Sequence, residues 1–109
     1  MKTITTEMLE NCMSTCKKCA DDCNNCADDC KDKPGMEACI KLCNNCSEAA
    51  TQCAKDCEAN SENKMQSIKA CIKACEDCAT ECEKHDNEAC KKCAETCRAC
   101  AEECKSCEA

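Results

Sequence analysis

The chain has 109 residues, a formal net charge of −7, 21 cysteines, and no Phe, Tyr or Trp. That length implies one domain, and an acidic balance without a basic face excludes nucleic acid as the expected partner. No segment has the length and apolarity of a transmembrane span, so no membrane contact is expected either.

Ordinary core material is scarce. The large aliphatics are four Ile, two Leu and five Met, and most other apolar residues are Cys or Ala. Deep stabilisation normally comes from side chains worth ~1.5–3 kcal/mol each on burial. A core of Cys and Ala therefore needs another source of cohesion.

The N-terminal stretch MKTITTEMLEN has no apolar h-region and no twin arginine, so the chain is expected to be cytoplasmic, where thiols stay reduced. The first predicted helix spans about 5–31 and carries Cys12, Cys16, Cys19, Cys23, Cys26 and Cys30. Steps alternating between four and three put all six on one helical stripe, which Leu9 extends. A strand would need steps of two. KDKPGM, with the only Pro and the only Gly (Pro34 and Gly35), breaks the pattern.

The second helix, about 36–59, repeats the beat with Cys39, Cys43, Cys46, Cys53 and Cys57. Met36 precedes Cys39 by three, and Ala50 occupies the one missing beat. After EANSEN, with Ser61 as candidate cap, a third helix at about 63–85 carries Cys71, Cys75, Cys78 and Cys82. Ile68 precedes this group on the stripe and His85 follows it. HDNEA offers Asp86 or Asn87 as the next cap. The last helix, about 87–107, holds Cys90, Cys93, Cys97, Cys100, Cys104 and Cys107.

Four helices of about 30–40 Å joined by short connections predict an all-α, antiparallel up-down-up-down four-helix bundle with a Cys-lined core, one domain over 1–109. Four cysteine stripes must then face one another.

Such a core has several possible uses. Disulfides suit the expected compartment poorly, and the odd cysteine count does not close a set of bridges. Ala, Leu and Ile would serve as plain packing without the risk of oxidation. Soft-metal binding remains. Nine adjacent pairs have the form CxxxC, beginning with Cys12/Cys16 and ending with Cys100/Cys104. Residues four apart project side by side and can hold one ion between two sulfurs, a soft site that favours Cu(I). Zinc takes four ligands, and a buried Zn(Cys)4 unit keeps two uncompensated negative charges. If each thiolate bridges two coppers the core stays near neutral, and capacity approaches the thiol count, on the order of 20 ions, with roughly one proton released per ion. The candidate metal ligands are the 21 cysteines and His85. No pocket or Gly-rich loop suggests an enzyme.

The expected packing places Met8, Leu9, Met13, Met65 and Ile68 at one end, as an apolar plug. Cys30, Met36, Cys39, Cys82, His85 and Cys90 gather at the other, where copper is expected to enter. Ile40, Leu42 and Ile72 lie beside the seam, either for contacts between copies or partly buried within the bundle.

With its CxxxC-rich helices ending in CAEECKSC, the chain resembles the bacterial copper storage proteins of the cytosolic class. The resemblance covers essentially the whole chain. It implies a Cys-lined bundle binding many Cu(I) ions, a homotetramer, and a His or Met near the open mouth, a place His85 matches. Exported members carry a leader peptide. The expected function is cytosolic Cu(I) storage and sequestration, with protection against copper toxicity. The alternatives are a thiol redox buffer and a metallothionein-like Zn/Cd-binding protein, although no CxC pair occurs.

Overall fold

Turn chemistry divides the chain before packing does. In the computed structural model, which describes residues 5–107, four helices follow one another: α1 (Thr6–Cys30), α2 (Glu37–Glu58), α3 (Lys64–Cys82) and α4 (Glu88–Ser106). Residues 1–4 and 108–109 of the expected domain lie outside the described residues.

Each boundary has a local cause. Thr5 caps α1, its Oγ1 accepting the Met8 amide at 3.1 Å, which satisfies one of the orphan amides of the first turn. Beyond Cys30 the chain meets Pro34, which has no amide proton, and Gly35 at φ 76°, a conformation that favours glycine. Helix α2 ends with Asn60 at φ 52°, the Ser61 amide donating to the Asp56 carbonyl and the Asn60 amide to Cys57. Those two bonds form a Schellman stop. Ser61 is not the cap of α3. Its Oγ accepts from the Asn63 amide in the turn before the helix, and Asn63 takes the cap position without a side-chain bond. Of the two candidates before α4, Asn87 caps, accepting from the Cys90 amide at 2.8 Å.

Helix α1 packs on α2 and α4, and α3 packs on the same two, so the bundle is a square with up-down connections in which only side chains meet across the diagonals. It measures 45 × 18 × 17 Å, the length of one long helix and the width of two. No described helix is long and apolar enough to cross a membrane.

The interior follows the stripes. All 21 cysteines are buried, and small shoulders (Ala20, Ala54, Ala79, Ala94, Ala101) let the helices close in. Ile68 is the largest fully buried side chain. Ile72 is buried within the chain, whereas Ile40 and Leu42 are partly buried and pack against the core. Met8, Leu9, Met13 and Met65 are partly buried around the core's edge.

Of the three buried polar side chains among the described residues, Asp22, Ser47 and Thr96, two pair with each other. The Thr96 hydroxyl of α4 donates to Asp22 Oδ2 of α1 at 2.6 Å, with Lys18 at 3.6 Å and Lys92 at 4.0 Å from the same carboxylate. Sequence patterning missed this pair. Its only trace is that each residue immediately precedes a seam cysteine, Cys23 or Cys97.

Candidate metal centre

The helical stripes converge into one continuous column of thiols, all of them free. At one end Cys12 lies 3.4 Å from Cys104 and 4.0 Å from Cys53, and the Cys107 thiol donates to the Met8 carbonyl at 3.6 Å. Next come Cys16, Cys71 and Cys100, with sulfur separations of 3.8–3.9 Å. At mid-column Cys19, Cys46, Cys75 and Cys97 meet, followed by Cys23, Cys43, Cys78 and Cys93. The far end holds Cys26, Cys30, Cys39, Cys82 and Cys90, with Cys90 3.5 Å from Cys26 and 3.8 Å from both Cys30 and Cys39.

Of the nine CxxxC pairs, five have sulfurs 3.9–4.0 Å apart: Cys12/Cys16, Cys19/Cys23, Cys71/Cys75, Cys78/Cys82 and Cys93/Cys97. The shorter contacts, 3.4–3.8 Å, all run between helices. The stripe supplies the sulfurs, but packing chooses the partners. Four-thiol groups result, among them Cys12/Cys16/Cys53/Cys104, Cys16/Cys71/Cys100/Cys104, Cys23/Cys78/Cys93/Cys97 and Cys26/Cys39/Cys43/Cys82, the sulfurs of each lying within 4.8 Å of one another. Spacing along a single helix carries no signal for these groups.

Protonation follows the surroundings. Burial pushes the Cys57 thiol up to about 11, and those of Cys90 and Cys107 up to about 12. It raises Cys30 and Cys39 as well. A thiolate alone in this interior lacks the solvation of water, so these thiols at the two ends of the column hold their protons while metal is absent. Deeper in, thiols share them. Hydrogen bonds from Cys100, then Cys23, Cys46 and Cys75, hold Cys19 below its usual value, and those led by Cys100 raise Cys75. A cation that displaces these protons gains ligands already in mutual contact.

His85 stands in the turn after α3, about one-fifth exposed, with Nε2 2.8 Å from Glu81 Oε2. That bond pulls the Glu81 carboxyl below its usual range. The i,i+4 spacing of Glu81 and His85 was a readable signal for the pair. Met36 is buried beside the same end. His85 also borders a surface cleft with Glu83, Lys84, Asp86, Lys91, Ala94, Glu95 and Arg98.

A family model described as copper storage protein matches residues 5–109. The chain belongs to the copper storage protein family. Solved structures of the family share its fold. The Cu(I)-bound copper storage protein BsCsp3 is 32% identical with a TM-score of 0.87, over 94% of this chain and 99% of that one. The metal-free copper storage protein 3 from Bacillus subtilis is 34% identical with a TM-score of 0.87, over 92% and 98%. A cytosolic copper storage protein from Streptomyces lividans, bearing five coppers, is 31% identical with a TM-score of 0.85, over 91% and 90%. Comparison with curated proteins gives no match. Family and fold agree with the sequence reading of a Cys-rich, all-α bundle.

Proposed function

We propose that this copper storage protein holds Cu(I) along its thiol column as a cytoplasmic store, and that sequestration protects the cell from copper toxicity. The observation that carries this reading is the column itself: 21 buried, free thiols on four helices, with sulfurs that meet at 3.4–4.0 Å along its length. Soft thiolates select Cu(I), and bridging by each sulfur keeps the charge low. Capacity is then on the order of 20 ions per chain. The ligands are Cys12 through Cys107, every cysteine of the single 1–109 domain, with His85 acting at the loading end. Copper enters between the turns that hold His85 and Met36, because exchangeable or soft donors gather there and aliphatic side chains edge the other end. The family resemblance adds a homotetramer, and Ile40 and Leu42, partly buried in one chain, are available to it. Storage requires no catalytic group.

Anaerobic titration of the reduced protein with Cu(I) against a competing chelator tests the proposal. Tight binding that continues to about one ion per thiol is expected. Saturation after a few ions, or tighter zinc than copper binding throughout, refutes it. The redox-buffer alternative draws on the 3.4 Å contact of Cys12 with Cys104. A thiol count on protein taken from cells decides it, since a redox buffer would carry most of its thiols as disulfides.

A further inference from the structure

One four-thiol group differs from the other four named above. Cys19, Cys46, Cys75 and Cys97 supply one sulfur from each of the four helices, whereas each of the other four takes two from a single helix. The next layer, Cys23, Cys43, Cys78 and Cys93, also draws on all four helices, but only four of its six edges close within 4.0 Å. Five of its six edges are short: 3.6 Å for Cys19–Cys46 and Cys46–Cys75, 3.7 Å for Cys19–Cys75 and Cys19–Cys97, and 3.8 Å for Cys46–Cys97. Four sulfurs at ~2.3 Å from one zinc ion stand ~3.8 Å apart in a tetrahedron. The quartet has those dimensions before any metal is added. We propose that in the copper-free chain this quartet is a tetrahedral site for one divalent d10 cation, zinc, which braces all four helices at mid-column.

Charge is the objection to such a site, because four thiolates and one divalent ion leave two negative charges buried. The adjacent layers answer it. Cys23 lies 4.0 Å from Cys19 and 3.7 Å from Cys97, Cys71 is 3.9 Å from Cys75, and Cys93 is 3.9 Å from Cys97. The Cys23 thiol, within reach of both Cys19 and Cys97, can turn its S–H to a coordinated sulfur, as outer partners do in metal sites generally. Binding releases four protons per ion. Cu(I) arriving in excess claims the donors as well as the quartet, so copper loading expels the divalent ion. A braced empty state also supplies cohesion to a core so short of large side chains.

The test is an anaerobic titration of the reduced, metal-free full chain with Co(II), a visible stand-in for zinc. The first equivalent is expected to give the intense d–d spectrum of tetrahedral four-sulfur cobalt, and Zn(II) should abolish that spectrum. Cys46→Ser should weaken the first equivalent at least about tenfold and shift its spectrum toward three-sulfur coordination. Cys12→Ser also removes one thiol from the column, yet it should keep the four-sulfur spectrum. Circular dichroism checks that the variants are helical. Cys46→Ala, which places on the stripe a residue α2 already carries at Ala50, serves if the serine variant fails to fold. A weak octahedral spectrum, an unchanged first equivalent in the Cys46 variants, or an equal loss in Cys12→Ser overturns the proposal. None of these outcomes bears on Cu(I) capacity, which is measured separately.

Discussion

Replacing Thr96 by Val removes a hydroxyl from the α1–α4 contact and leaves the shape of the side chain. In the native chain that hydroxyl donates to the buried Asp22 carboxylate at 2.6 Å. A hydrogen bond to a charged group is worth ~1.5–3 kcal/mol, and the larger figure applies when the acceptor is left without a partner. Here Asp22 keeps Lys18 at 3.6 Å and Lys92 at 4.0 Å, but both lysines are about two-thirds exposed and their long ion pairs contribute little. The expected loss is therefore ~2 kcal/mol. For a domain near this size that corresponds to a fall of ~8–16 °C in melting midpoint. Thermal and urea unfolding of the reduced, metal-free protein, followed by circular dichroism, measures it. Copper-loaded protein should lose far less, since metal then bridges the same two helices through Cys23 and Cys97, 3.7 Å apart. A metal-free loss below ~0.5 kcal/mol, the range of ordinary surface substitutions, would refute the reasoning.

Ala50→Cys fills the missing beat of α2, at a fully buried position between Cys46 and Cys53. Native mass spectrometry should then count about one more copper at saturation, at a cost of ~1–3 kcal/mol in the metal-free protein from added core volume. His85→Ala should leave capacity unchanged and slow copper uptake from a chelator several-fold, read by stopped-flow absorbance. Unchanged uptake rates would remove His85 from the loading path. The metal-free protein should also lose stability in alkali. Cys57, Cys90 and Cys107 are raised to about 11, 12 and 12, so the folded chain holds protons that the unfolded chain gives up from ~pH 8.5. Stability is full below that value and drains away as pH rises through 11–12, which a series of melts would record. Cu(I)-loaded protein, its thiols already deprotonated, should not follow this curve.

Most of the fold was legible because the sequence repeats one message. The four-three beat from Cys12 to Cys30 admits only a helix, and the Pro34–Gly35 break with the short connections leaves an up-down bundle. Less was legible where two helices decide together. Cys19 announces Cys23 along the chain, but nothing along the chain announces Cys46, Cys75 or Cys97, its neighbours at 3.6–3.7 Å. Those pairings depend on helix crossing and relative height. Asp22 and Thr96 were hidden for the same reason, each reading alone as a solvated flank residue. Ser61 illustrates a local limit, since a Schellman stop and a turn both use that stretch before α3 begins.

A wall built of one residue type has a further consequence. Sliding α1 or α4 by seven residues along its neighbour returns cysteine to cysteine, so their stripes by themselves cannot tell the native alignment from a shifted one. Coiled coils meet the same ambiguity with a single distinctive interior side chain. In this bundle the information lies outside the column, in pairs that match at one height only. Asp56 accepts from Ser67 between α2 and α3, Glu83 and Glu76 hold Arg98 and Lys105 of α4 at 2.9 and 2.8 Å, and Asp22 holds Thr96. The unvarying interior is free to serve its metal because the variable exterior keeps the helices in step.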